Sequence, residues 1–245
     1  MRADARTAAL AAALGAVRTR IEAACAAAGR DPREVRLLAV TKRFPADDVV
    51  RLIDLGVREF AESKDQEAGP KAREVSELRP DVPVRWHMVG RLQRNKARSV
   101  VRWANEVQSV DSIRLADALA KAVALARRRG ERSGPLDVLV QGSLDADAAR
   151  GGCPLADLPA LVDHIVQLGE LRLRGLMSIV PVDADEGAAF ARLSGTLHRL
   201  RATHRGLTEL SAGMSGDLDH AIAHGSTCVR VGTALLGGRE LASLE

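Results

Sequence analysis

The order in which apolar patterns recur along this chain limits its fold more than any other feature. Short apolar runs of strand length alternate with longer segments whose apolar residues return at helical spacing. The first run is Val35-Arg36-Leu37-Leu38-Ala39-Val40-Thr41. Pro45 then opens a helix at the first position, which tolerates proline, and Gly56 ends it. Further strands are expected over 58–62, 84–90, 106–110, 136–143, 171–180, 208–213 and 228–232. The clearest helical patterns cover 112–129, 158–168, 186–204 and 218–224, with Asp111-Ser112 and Asp217 as cap residues. Gly187 and Gly195 weaken the long 186–204 pattern. Strands that alternate with helices imply a parallel sheet with helices outside. Eight such units in 245 residues fit an α/β fold of the closed (β/α)8 TIM-barrel type. An open doubly wound sheet is the structural alternative.

A helix precedes the first strand, over roughly 3–29, and Asp31-Pro32 breaks it. Its Ala/Leu-rich stretch from Thr7 to Val17 resembles a signal-peptide core, but Asp4 stands where such a peptide is basic. Leu10, Leu14, Val17 and Ile21 continue as one stripe through Arg18 and Arg20, as in an amphipathic helix that packs on the barrel. No low-complexity linker divides the chain, so residues 1–245 are expected to form one domain.

Composition removes several function classes. At 46% apolar and 28% charged residues the chain is neither disordered nor membranous. The net charge of +4 is spread out, with Arg127-Arg128-Arg129 the longest basic block. Three Phe, two Trp and no Tyr leave little for a base-stacking surface, so no nucleic-acid partner is expected. Cys25, Cys153 and Cys228 are odd in number and scattered, which argues for a reducing, cytoplasmic setting.

In a barrel, functional residues lie at the C-terminal ends of the strands. Lys42 directly follows the first strand, where a desolvated amine beside Arg43 can form a Schiff base with a carbonyl compound. A lysine that snorkels to solvent is the bland reading. Lysines are few, five against 31 arginines, which sets Lys42 apart slightly. Ser211 to Asp217 and Val229 to Ala234 are small-residue loops before helices, suited to an anion such as phosphate or to ordinary capped turns. Trp86 to Lys96 places Arg91, Arg94 and Lys96 around a glycine turn, and His87 is a catalytic or a hydrogen-bonded strand histidine. His220 and His224 have no third metal ligand, and Cys153 has no nameable base. Neither a P-loop nor a GxGxxG fingerprint is present. An amine at strand one with an anion cradle after strands seven and eight suits pyridoxal 5′-phosphate (PLP), or a sugar phosphate in a class I aldolase.

Six segments then carry a resemblance over nearly the whole chain. They are Ala39-Val40-Thr41-Lys42, the stretch Trp86-His87-Met88-Val89-Gly90-Arg91-Leu92-Gln93-Arg94-Asn95-Lys96, Ser109-Val110-Asp111-Ser112, Leu173-Arg174-Gly175-Leu176-Met177-Ser178, Gly213-Met214-Ser215 and Val229-Arg230-Val231-Gly232-Thr233-Ala234. Together they resemble the pyridoxal phosphate homeostasis protein family (YggS/PROSC-like). The resemblance implies a single barrel like the N-terminal domain of alanine racemase, which binds PLP without established turnover and serves intracellular vitamin B6 balance. It implies that Lys42 holds PLP as a Schiff base. By the same resemblance Ser215, Gly232 and Thr233 hold the phosphate, Arg230 faces the pyridine nitrogen, and His87 and Met177 line the pocket. Relatives usually carry Gly-Glu-Asn after the second strand; here it is Ala61-Glu62-Ser63, so Ser63 lines that wall without an amide. Ser143 stands where another Asn is common, and Arg150 where a Lys is common. A monomer is expected, with PLP-dependent apoenzymes as recipients and no membrane partner. A PLP-dependent racemase is the enzymatic alternative, with a class I aldolase behind it. Racemisation on such a barrel uses a Tyr from a C-terminal β-domain as second base. This chain has no Tyr and ends at Glu245, soon after the eighth strand.

Overall fold

The alternation read from the sequence closes into a ring. The computed structural model describes residues 2–145, 151–181 and 183–238. Its strands are β1 (Arg36–Val40), β2 (Glu59–Glu62), β3 (Arg85–Met88), β4 (Glu106–Val110), β5 (Leu136–Ser143), β6 (Cys153–Pro154), β7 (Leu171–Met177), β8 (Glu209–Ser211) and β9 (Cys228–Val231). All pair in parallel in the order β4-β3-β2-β1-β9-β8-β7-β5, and a β4–β5 pairing shuts the barrel. The two-residue β6 hangs on the end of β5, through Gly142 and Cys153. The fold is therefore a closed eight-stranded (β/α)8 barrel, as expected.

The described helices lie outside it: α1 (Arg2–Ala27), α2 (Ala46–Asp54), α3 (Asp65–Leu78), α4 (Ala97–Trp103), α5 (Ile113–Arg128), α6 (Leu158–Val166), α7 (Glu186–Thr203), α8 (Leu218–Ala223) and α9 (Thr233–Leu236). None of the described helices is long and apolar enough to cross a membrane. Helices such as α5 present an apolar stripe to the outer face of the sheet. On α5 that stripe is Leu115, Leu119, Val123 and Ala126, all buried. Burying each large one is worth roughly 1.5–3 kcal/mol, so Leu119→Ala costs about 2–5 kcal/mol. Helix α1 buries Leu10, Leu14, Val17 and Ile21 in a cluster with Leu218, Ile222, Leu235 and Leu236, as its periodicity implied. It thus covers the seam between the first and last units of the barrel.

Alternation along the strands sends Phe60 and Trp86 outward, their ring centroids 5.7 Å apart, and Ala61 and His87 inward. The apolar part of the interior is small, built on Leu38, Ala61 and Cys228. Beneath it lies a floor of ion pairs. Arg36 joins Glu59 at 2.7 Å and Glu209 at 2.5 Å. Arg85 reaches Glu106 and Asp137, Arg172 reaches Asp137, and Arg174 reaches Glu209.

Several strands are shorter than the apolar runs predict. The run 171–180 is strand only to Met177, and 208–213 only over Glu209–Ser211. In both cases the chain leaves the ladder at the barrel mouth, where the remaining residues form loops. A register shift between Val138 and Leu139 against β7 accompanies Gly175, where a Cβ would stand 1.9 Å from Glu209 O. Only glycine allows β7 and β8 to approach there. The cap residues also differ from expectation. Ser112 precedes α5, but its hydroxyl goes to Asp111. Asp217 precedes α8, but its carboxylate accepts from Met214 N–H at 2.5 Å and so ties the loop before the helix.

Candidate functional site

The polar groups named from the sequence gather where the strands end. Thr41 leaves β1 and begins a tight turn, closed by Phe44 N–H donating to Thr41 O at 3.1 Å. Arg43, third in this turn, has φ 68° and is the one non-glycine in the left-handed region among the described residues. Such a conformation costs about 1–3 kcal/mol and recurs where geometry matters more than strain. Lys42 sits second in the turn, exposed, with no ion-pair partner among the described residues.

Two loops face that turn from the far end of the chain. Gly213 has φ 94°, and a Cβ on it would meet Ala221 Cβ at 2.6 Å, so glycine is required for the loop to turn against α8. The loop holds Ser215, half-buried. Ala234 N–H, in the first turn of α9, reaches Ser215 Oγ at 3.4 Å and joins the two loops. Gly232 abuts the end of β1, where an added Cβ would stand 3.4 Å from Val40 O. Thr233 follows it, exposed. Helix α1 braces both loops from behind: Arg20 donates to Ser215 O at 2.5 Å and pairs with Asp219, and Arg6 donates to Leu236 O at 3.2 Å.

Arg230, on β9, is the most unusual of these groups. It is 5% exposed and has no carboxylate partner among the described residues. Nη1 donates to Ser211 O at 2.8 Å and Ser211 Oγ at 2.9 Å, and Nη2 donates to Ser178 O at 2.8 Å. A guanidinium carries five N–H donors. Two of Arg230's therefore lack an acceptor among the described residues. Burial pushes its pKa down, yet arginine remains charged in proteins. The fully buried Met177 ends β7, opposite Gln141 and Ser211.

His87 lies one layer deeper. It is fully buried, with Nδ1 3.2 Å from Glu106 Oε1 and 3.3 Å from Gln108 Nε2. Its Nε2 stands 3.2 Å from Glu59 Oε2 without the alignment of a hydrogen bond. Burial alone would lower its pKa, but the bond to Glu106 and the negative charge of Glu106 and of the nearby Glu59 outweigh that and raise it. Burial likewise pushes Glu106 up, and His87 and Arg36 more than offset it, holding the carboxyl at about 2. His87 is connected to the mouth through Gln108. Gln108 Nε2 donates to Glu106 at 2.8 Å, and Gln108 Oε1 accepts from Ser211 Oγ at 2.7 Å, beside Arg230.

On the other side of the mouth, past β2, β3 and β4, opens a cleft of about 1030 Å³. Ser63 lines it, half-buried, its backbone packed so closely on Gly90 that a Cβ there would meet Ser63 O at 2.1 Å. The basic segment after β3 lines it too, through Arg91, Arg94 and Lys96, with Met88 and Leu92 as apolar floor. Of the sequence-derived residues, Lys42, Ser215, Gly232 and Thr233 border the seam between β1, β8 and β9, and Arg230 lies beneath them. Ser63 stands on the adjacent wall and His87 below.

The weaker candidates fall away. No group of three metal-ligating side chains occurs among the described residues, and His224 Nδ1 binds His220 O. Cys153 is buried, and that burial pushes its thiol up to about 11, far from nucleophilic at neutral pH. Arg150 lies outside the described residues. Sequence reasoning missed Lys71 and Glu62, a buried pair behind the Lys42 turn. The scarcity of lysine makes Lys71 noticeable, but nothing local in the sequence pairs it with Glu62.

Comparison with known proteins follows the same line. The family model described as "Alanine racemase, N-terminal domain" matches residues 13–240. The pyridoxal phosphate homeostasis protein of Mycobacterium tuberculosis is 52% identical over 94% of this chain and 93% of its own length. The Escherichia coli protein of that name is 36% identical over 93% of this chain and 95% of its own. The structure of PipY from Synechococcus elongatus, solved with PLP bound, has a TM-score of 0.79 and 34% identity, over 93% of this chain and 100% of PipY.

Proposed function

This chain belongs to the pyridoxal phosphate homeostasis protein family, and from that premise we propose that it binds PLP through Lys42 and holds it for vitamin B6 homeostasis without catalytic turnover. Arg230 carries the reading: a buried guanidinium with two N–H donors lacking an acceptor among the described residues fits the pyridine nitrogen, which accepts only one bond. The loops at Ser215 and at Gly232-Thr233 fit a phosphate, since they offer hydroxyls and backbone N–H groups within one cradle.

When bound, PLP supplies an aldehyde carbon to which a lysine amine attaches. The residues divide the remaining work. Lys42 provides that amine from a constrained turn. Ser215, Gly232 and Thr233 anchor the phosphate, and Arg20 of α1 fixes the Ser215 loop. Met177 and Ser63 flank the ring. Arg230, a permanent cation, keeps the nitrogen it faces unprotonated, since a second positive charge alongside is unfavourable. The ring is then a weaker electron sink than with a carboxylate partner. His87 acts from below, through Gln108 and Ser211, on the setting of Arg230. The described barrel works as one cofactor-binding domain, a cytoplasmic monomer that yields PLP to apoenzymes.

The test is the absorbance spectrum of the purified protein before and after borohydride, with peptide mapping. A fixed adduct on Lys42 is expected. Label retained in Lys42→Ala overturns the assignment, and robust racemisation lost in Lys42→Ala overturns the absence of turnover.

A further inference from the structure

Lys42 has no ion-pair partner among the described residues, yet the residue before it is held at each polar group. Thr41 N–H donates to Ala61 O at 3.0 Å, and Thr41 Oγ1 donates to Glu62 Oε1 at 2.7 Å. Thr41 O accepts twice, from Phe44 N–H at 3.1 Å and from Lys71 Nζ at 2.9 Å. Lys71 Nζ also donates to Glu62 Oε1 at 2.7 Å. Glu62 is fully buried on β2, and the Lys71 side chain, from α3, is 10% exposed.

The fold alone gives little reason for this pair. A buried ion pair is seldom more stabilising than an apolar pair of similar volume, because both ions lose their water. Here a further cost is visible, for Glu62 Oε2 has no hydrogen-bond partner among the described residues. What the pair does accomplish is orientation. The ammonium on Thr41 O sets the plane of the Thr41–Lys42 peptide, while the left-handed Arg43 sets the exit of the same turn. Both ends of Lys42 are thereby fixed, and only its side chain is left to move.

We propose that Lys71 and Glu62 are positioning residues, which hold the Thr41–Lys42 turn so that Lys42 Nζ meets the aldehyde carbon of PLP. This rests on the PLP reading above. In the step they serve, a C–N double bond forms between Nζ and that carbon, and the carbonyl oxygen leaves as water with the two amine protons. Neither residue touches the reacting atoms. Their effect is on how often the amine occupies an attacking position, to which rates are steeply sensitive.

The experiment mixes PLP with the full chain stripped of cofactor and follows adduct formation by absorbance, beside the melting temperature of the stripped protein. Lys71→Met is expected to slow capture tenfold or more, and Lys71→Arg, which keeps a donor, to restore most of it. The double variant Glu62→Leu with Lys71→Met replaces the ions by an apolar pair; it is expected to melt within a few degrees of the parent yet remain slow. That double variant also decides the matter if Lys71→Met does not fold. Capture at the parental rate in the double variant makes the pair a structural staple and overturns the inference alone. A parent chain that forms no borohydride-fixed adduct on Lys42 overturns the PLP reading, and this inference with it.

Discussion

On the floor of the barrel Arg36 holds two carboxylates, Glu59 and Glu209; at the mouth the more deeply buried Arg230 holds none among the described residues. The floor satisfies its charges among themselves, through Arg85, Asp137, Arg172 and Arg174. The mouth leaves donors open on Arg230 and an exposed amine on Lys42. The same residue types thus do different work at the two ends. Ionic groups that close on one another leave nothing for a ligand, and those left open await one.

The contrast can be broken at each point. The largest effect is expected from Lys42→Ala, which should abolish the borohydride-fixed adduct while changing urea stability by no more than about 0.5 kcal/mol, since the side chain is exposed. Arg230→Met should weaken PLP binding at least about tenfold and shift the absorbance of the bound cofactor, as loss of a charge-assisted bond implies. Titration with spectra checks both parts.

On the floor the expected response is to pH rather than to ligand. Glu106 is held near 2, below an ordinary 4.5. Its contribution, on the order of 3 kcal/mol, is present above pH 4.5 and lost as pH falls toward 2. His87 is raised above 6.5, so its contribution is full below 6.5 and lost as pH rises through the folded-state value. Urea midpoints across pH should therefore peak between these limits, and Glu106→Gln should flatten the acid side. An unchanged acid limb in that variant would move the source elsewhere. The smallest effect is expected from Arg20→Ala, at the half-exposed brace on the Ser215 loop: below about 1 kcal/mol in stability and about two- to threefold in PLP affinity.

The barrel was legible because its signal is spread over many residues. Eight apolar runs and the stripe of α1 each needed only periodicity, and losing one would not have hidden the rest. Helix α3 was harder to read, because Gly69-Pro70 interrupts its pattern; Pro70 lies inside the helix. The floor was illegible. Arg36, Glu59, Arg85 and Glu106 read as solvent-facing residues of their strands, and only closure of the ring turns them inward. Lys42, Ser215 and Arg230 could be named from motifs and their place at strand ends. Lys71 and Glu62 could not, because what matters about them is a contact between a helix and a strand end, which no local pattern encodes.

One consequence of the α1 packing concerns the order of synthesis. Leu10, Leu14, Val17 and Ile21 are made well before their partners Leu218, Ile222, Leu235 and Leu236. Until those partners emerge, part of that apolar stripe has no native cover, a situation that favours aggregation or chaperone contact. The cradle loops are braced by the same helix. A chain interrupted before Leu218 therefore lacks both the full cover for this helix and the braced geometry to capture a cofactor.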